Sequence, residues 1–160
     1  MSSSQPAGFS HHDHGHCVSA ALHAAETACK ARGLQFTKVR RRVLEILAEA
    51  HNAMGAYDVL ARLSHEGLGS QPPVAYRALT FLVDQGFAHR IERLNAFVAC
   101  AHPGADHAPV FMICRACGKV AEAEADLGGY LAAKAAQSGF RIEQTVVEAQ
   151  GLCPDCQTAA

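Results

Sequence analysis

The stretch SQPPVAYRALTFLVDQGFAHRIERLNAFVAC, residues 70–100, changes its period part-way along. Ser70-Gln71-Pro72-Pro73 opens a helix, because proline is tolerated in a first helical turn, where its missing N–H is not needed. Val74, Ala78, Leu79 and Leu82 then recur at helical spacing on one face, and Tyr76, Arg77, Thr80 and Asp84 fall on the other. This pattern predicts a helix over residues 73–85, ended by Gly86. Beyond it, Phe87–Arg93 and Ala96–Cys100 are β-like, joined by a tight turn at Leu94-Asn95.

Upstream, an Ala-rich helical pattern runs from Val18 to about Arg32 and stops before Gly33. Thr37 reads as an N-cap, followed by Val39, Val43, Leu44 and Leu47 at helical spacing up to about Ala50. A further helix is expected from Ala56 to His65, with Leu60 and Leu63 facing in and Gly67 and Gly69 as stops. Helices followed by a two-stranded hairpin are the order of a winged helix-turn-helix. In that motif an exposed Tyr76-Arg77 pair in the first turn of the second helix faces bases and phosphates. Arg77 is able to donate two hydrogen bonds to a guanine edge, worth about 1–3 kcal/mol of discrimination. Six cations and no acid lie between Lys30 and Arg42, and Arg40 and Arg41 are candidates to grip phosphates. The plain alternative is an ordinary solvated helix face.

Downstream, residues 101–109 (AHPGADHAP) are polar and turn-rich, a plausible hinge. A second unit follows, with strands expected at 110–114, 119–124 and 140–149 and a helix at 126–138. It carries two Cys-x-x-Cys pairs, Cys114/Cys117 and Cys153/Cys156, separated by 35 residues (118–152). A Cys-x-x-Cys turn sets two thiolates close enough to share one metal ion, and Gly118 relieves the tight backbone. Two such turns form a closed four-sulfur set, the most zinc-selective arrangement. A structural zinc of this kind is worth roughly 10–16 kcal/mol at neutral pH. Redox-active or merely buried thiol pairs are the alternative, but a thioredoxin-like site needs a βαβ setting that is missing here.

Composition bounds the rest. The chain has 160 residues, 49% hydrophobic and 18% charged, which suits one or two small globular domains. No apolar run approaches membrane-spanning length, and the start lacks a charged segment followed by an apolar one. The expected compartment is therefore the reducing cytoplasm, where Cys-x-x-Cys pairs hold metal. The net charge of −1 gives no hint of a nucleic-acid partner. Residues 1–17, with His11, His12, His14, His16 and Cys17, are expected to form a disordered tail, or an accessory metal collector. Cys29 shares an apolar helical face with Leu22 and Ala25 and reads as a core thiol. His51 and His65 sit near helix C-termini, where partial positive charge is favourable. No catalytic signature is convincing: a zinc deaminase needs His-x-Glu, whereas His89 is followed by Arg90-Ile91-Glu92.

Several strings together resemble the ferric-uptake-regulator family, specifically its zinc-uptake-regulator branch. They are Gly55-Ala56-Tyr57-Asp58, Tyr76-Arg77-Ala78-Leu79-x-Phe81-Leu82, Gly86-Phe87-x-His89, Phe111-Met112-Ile113-Cys114-x-x-Cys117-Gly118 and Gly151-Leu152-Cys153-x-x-Cys156. The resemblance covers about residues 20–157. It implies an α+β protein: a winged helix-turn-helix DNA-binding domain (18–100), a hinge (101–109) and a small α/β dimerisation domain (110–160). It implies a homodimer that binds palindromic double-stranded DNA and represses zinc-uptake genes when zinc is plentiful, with no enzymatic activity and no membrane association. It implies two zinc ions per subunit, a structural one at Cys114, Cys117, Cys153 and Cys156 and a regulatory one at His89, Cys100, His107 and Glu122. Tyr57 and Arg77 match the family's base-contacting positions. One departure is Val74-Ala75, where the family has Thr-Val before Tyr-Arg. Related iron and peroxide sensors carry His-His-x-His before the first Cys-x-x-Cys, but here the place reads His107-Ala108-Pro109-Val110. An iron- or manganese-responsive regulator is the nearest alternative, and a zinc carrier or storage protein is the alternative of another class. His102 and Glu124 are rival ligands.

Overall fold

A computed structural model of the chain describes residues 8–9, 14–50, 52–104, 107–125 and 127–159. His11, His12, Asp13 and His51 lie outside the described residues. Contacts divide the chain into an N-terminal unit, residues 10–105, and a C-terminal unit, residues 106–160, to which Gly8 and Phe9 belong.

The N-terminal unit holds four helices and a hairpin: α1 (His14–Arg32), α2 (Lys38–Glu49), α3 (Ala56–His65), α4 (Pro72–Asp84), β1 (Ala88–Ile91) and β2 (Ala96–Ala99). Thr37 caps α2, its hydroxyl accepting from the Arg40 N–H at 3.3 Å. Val43, Leu44, Ile46 and Leu47 then bury one face of α2. Each such side chain contributes roughly 1.5–3 kcal/mol by leaving water. They meet Val59 and Leu63 of α3, Ala78, Leu79 and Leu82 of α4, and Phe87. Leu22, Ala25 and Cys29 close the core from α1, so Cys29 is the buried core thiol its spacing implies. The hairpin pairs Ala88 with Ala99 and Ile91 with Ala96. A short 3-10 turn over Glu92–Leu94 and a left-handed Asn95 (φ 45°) connect its strands.

In the C-terminal unit, β3 (Pro109–Cys114) is central, with β4 (Val120–Glu124) antiparallel on one side and β5 (Val147–Gly151) parallel on the other. The chain crosses from β4 to β5 through α5 (Gly128–Gln137) and ends in α6 (Pro154–Thr158). Phe111, Ile113, Val120 and Ala121 are buried, whereas α5 buries none of its residues.

The largest departures from the expectations are at α1, β5 and α6. α1 begins at His14 rather than Val18, so His14–Cys17 form its first turn. No strong breaker separates them from the Ala-rich run, and extending an existing helix gains a hydrogen bond per residue. The strand expected over 140–149 pairs only from Val147. β3 starts at Pro109, which has no N–H to donate, so residues 140–146 have no ladder opposite them. The short α6, with Pro154 in its first turn, was not expected from periodicity because it is barely a turn long.

Val74 of α4 seats against Gly69 in the preceding loop. A Cβ at Gly69 would lie 2.8 Å from Val74 Cγ1, on a backbone with φ +139°. Gly69→Ala is therefore expected to destabilise the N-terminal unit by about 1–3 kcal/mol, through backbone strain and the clash. Urea unfolding followed by circular dichroism measures this, and a midpoint equal to wild type would contradict the packing.

Candidate metal centre and nucleic-acid interface

The C-terminal unit converges four thiols. Cys114 ends β3, Cys117 lies in the turn after it, Cys153 caps α6 and Cys156 stands on its first turn. Gly118 takes φ +75° and its N–H donates to the Cys114 carbonyl at 2.9 Å, which closes the first knuckle. The parallel pairing of Cys114 with Gly151 brings the second knuckle alongside. All four Sγ atoms lie within 4.8 Å of one another, and Cys117 Sγ is 3.7 Å from Cys153 Sγ. Sulfurs on a tetrahedral zinc sit about 3.8 Å apart, given a Zn–S bond of about 2.3 Å.

The electrostatics of the set are those of a cation site. The Cys153 N–H donates to Cys114 Sγ at 3.4 Å. Backbone N–H groups of Cys153 and Cys117 hold the Cys114 thiol down to about 6. The neighbouring Cys153 and Cys117 side chains push Cys156 up to about 12, because thiolates crowded together resist a further negative charge. A divalent ion removes that conflict, so the donor set fits zinc. Lys119 spans the knuckles from outside, its Nζ 2.9 Å from Asp155 Oδ2.

His107 and Glu122 form a second donor group in the same unit. His107 Nε2 is 2.7 Å from Glu122 Oε1, and both side chains are at most 10% exposed. Glu122 is the buried charged residue among the described ones, set on β4 opposite Phe111. A carboxylate withdrawn from water needs a proton or a cation beside it. In the N-terminal unit, His89 pairs with Val98 across the hairpin, and the Cys100 N–H donates to the Phe87 carbonyl at 3.0 Å. That register makes His89 and Cys100 diagonal neighbours on one face of the wing. Cys100 is buried, and so is the Nε2 of His89. The two pairs are thus each assembled within their own unit. His102 and Glu124 are exposed.

Helix α4 sorts its residues as its period implies. Ala75, Ala78, Leu79 and Leu82 are buried, while Tyr76, Arg77, Thr80 and Asp84 are exposed. Ala75 takes the buried position and Val74 is half-buried against Gly69, so the residues replacing Thr-Val pack inward. Tyr57 on α3 is 68% exposed, although its ring is among the largest apolar groups of the unit.

The basic run is less open than its sequence implies. Arg41 pairs with Glu26 and, at 3.3 Å, with Glu45. Arg42 binds Glu66 at 2.7 Å, Glu45 at 3.0 Å and Glu49 at 3.1 Å, and Arg62 joins Glu49 at 3.0 Å. The Arg40 guanidinium lies 3.7 Å from the centre of the Phe81 ring and donates to the Gln35 carbonyl. The Arg41–Glu45 pair has helical i,i+4 spacing and was open to sequence reading. Arg40–Phe81 and Lys119–Asp155 join distant residues and carried no local signal.

The profile of the Ferric uptake regulator family matches residues 31–150. The Zinc uptake regulation protein of Escherichia coli (strain K12) is 38% identical over 140 residues, which cover 84% of this chain and 80% of that protein. A solved structure of a zinc uptake regulator complexed with zinc and DNA is 35% identical, with a TM-score of 0.85, over 89% of this chain and 96% of that one. The crystal structure of holo XcZur is 40% identical, with a TM-score of 0.80, over 88% of this chain and 99% of that one. With a family match across three-quarters of its length and a regulator this similar over most of both chains, the protein belongs to the ferric uptake regulator family.

Proposed function

We propose that the protein is a zinc-responsive transcriptional repressor, a cytoplasmic homodimer that binds palindromic operator DNA and controls zinc-uptake genes. The observation that carries this reading is the exposed Tyr76-Arg77 stripe of α4, in a chain 35% identical to a regulator whose structure holds zinc and DNA. No described helix is long and apolar enough to cross a membrane.

Cys114, Cys117, Cys153 and Cys156 hold a structural zinc in this reading. Their thiolates join the end of β3 to α6 and so fix the edge strand β5 between them. The regulatory zinc takes His89 and Cys100 from one unit and His107 and Glu122 from the other. Two observations support it. Each pair is already formed within its own unit, and the buried Glu122 carboxyl lies 2.7 Å from His107 Nε2, two ligand atoms that one cation is able to take up together. Cys100 adds a thiolate, which favours zinc over Fe(II) or Mn(II). Bound zinc supplies only a Lewis-acid crosslink; the side chains decide what it joins. Two zinc ions per subunit follow.

The second copy in the dimer covers the apolar surface of the C-terminal unit. Tyr130 and Phe140 are 65% and 67% exposed, α5 buries nothing, and β5 is an edge strand. Each is a cost in a lone chain and an asset at an interface. With two copies joined, two α4 helices read the two halves of a palindrome. Arg77 and Tyr76 face base edges, Thr80 lies one turn on, and Tyr57 contacts DNA from α3.

Three outcomes test these assignments. Cys153→Ser is expected to lose about one zinc per chain by atomic absorption and to melt the C-terminal unit, since a structural zinc contributes roughly 10–16 kcal/mol. Full zinc content in that variant would remove the four-sulfur assignment. His89→Ala and Cys100→Ser should each keep the structural zinc but weaken operator binding at least tenfold at buffered free zinc; wild-type zinc dependence in both would exclude these ligands. Arg77→Ala is expected to lose about 1–3 kcal/mol of specific binding, with dimer and zinc content intact. Unchanged discrimination between operator and scrambled duplex would remove Arg77 from base reading.

A further inference from the structure

Two arginines of the basic stretch grip the helix proposed to read DNA. Arg32, at the end of α1, donates through Nη1 to the Gln85 carbonyl at 3.2 Å and to Gln85 Oε1 at 3.0 Å. This caps the C-terminus of α4, where the helix dipole favours a cation. Arg40 stacks on Phe81 at 3.7 Å, the distance of van der Waals contact, while its Nη1 donates to the Gln35 carbonyl. Its backbone N–H is held by the cap oxygen of Thr37. Arg40 therefore ties the loop before α2, the first turn of α2 and the third turn of α4 to one planar group.

Phe81 lies four residues after Arg77, on the next turn of the same helical stripe. Whatever fixes Phe81 fixes the tilt and rotation at which Arg77 and Tyr76 are presented. We infer that Arg40 is a positioning residue for DNA reading: its guanidinium, stacked on Phe81 and anchored to Gln35, sets the angle of α4, and it is not a phosphate ligand. The inference rests on the assignment of α4 as the base-contacting helix. A flat guanidinium fills this role and a lysine ammonium does not, because only the former stacks on a ring face while donating in its own plane.

Phosphate contact and positioning leave different signatures. Each phosphate neutralised by a cation contributes about 0.9 to the slope of log K against log salt. A phosphate ligand also tolerates lysine. The experiment uses the full-length, zinc-loaded dimer and a duplex selected by the wild type from a randomised pool, beside a scrambled duplex, over a salt series. Arg40→Lys and Arg40→Met are both expected to lose at least tenfold in affinity for the selected duplex, with scrambled-duplex binding and the salt slope unchanged. Phe81→Leu should show the same pattern, and Arg40→Met/Phe81→Leu should be no worse than either single variant. The melting temperature of every variant, checked to lie well above the assay temperature, separates this pattern from unfolding. A near-wild-type Arg40→Lys, or an Arg40→Met whose slope drops by about one as both duplexes weaken together, would overturn the inference. A wild type that selects no duplex with zinc defeats the reading of α4 itself, and this inference with it, before any variant is compared.

Discussion

Four sulfur atoms surround one point, all within 4.8 Å of one another, and the C-terminal unit is arranged around them. Among the described residues its buried set is small: Phe111, Ile113, Val120, Ala121 and Glu122, with two of the cysteines, Cys114 and Cys153. α5 contributes nothing to that core. A unit of about 60 residues is only marginally stabilised by burial alone. On the proposed assignment, a zinc held by the knuckles would supply what packing does not. Gly118 permits the first turn, the Cys114–Gly151 pairing delivers the second, and backbone N–H groups already favour the thiolate at Cys114. The crowding that pushes Cys156 up to about 12 shows the other side of the balance: the set opposes its own full ionisation until a cation joins it.

The N-terminal unit solves its problem differently. Eighteen buried residues form one cluster across four helices and the hairpin, so no staple is needed. This leaves its charges for other uses. Most of the arginine-rich run is spent internally, with Arg41 and Arg42 neutralised by Glu26, Glu45, Glu49 and Glu66 across α1, α2 and the end of α3. Partly exposed pairs of this kind stabilise little. Their stronger consequence is geometric, because they hold α2 to its neighbours and leave the α4 stripe as the open polar face.

Where sequence reading succeeded, a local rule was enough. α3 and α4 follow from a 3.6-residue period with glycine and proline punctuation, and the Cys-x-x-Cys knuckles from a fixed spacing that a metal requires. It fell short where structure depends on a distant partner. β5 begins only where β3 can offer a ladder, so the alternating residues 140–146 looked like strand and are not. The Arg40–Phe81 stack joins residues 41 apart (81 − 40), and nothing near either predicts it. The pair His107 and Glu122 follows from family resemblance rather than from spacing, since the two lie 15 positions apart (122 − 107) across a hairpin. The basic run is half legible for a related reason: Glu45 and Glu49 lie on the same helix as Arg41 and Arg42, but Glu26 and Glu66 reach them from α1 and the end of α3.

If the proposed regulatory zinc draws its donors from both units, that division bears on how sharply such a protein responds. His89 with Cys100, or His107 with Glu122, offers two ligands, and tetrahedral zinc demands four. In the proposed function either pair alone is a poor site, and high affinity would require an arrangement that unites them. Driving a two-state equilibrium from 1:99 to 99:1 takes about a 10⁴-fold preference of the ligand for one state. Splitting a site in half is the simplest way to obtain such a preference, because the open state then retains only two of the four bonds. The same linkage runs backwards: if the united arrangement is the one that presents both α4 helices to DNA, operator binding must tighten zinc by the factor that zinc tightens the operator. The four thiols all belong to one unit, so on the proposed assignment a structural zinc there would be exempt from this coupling.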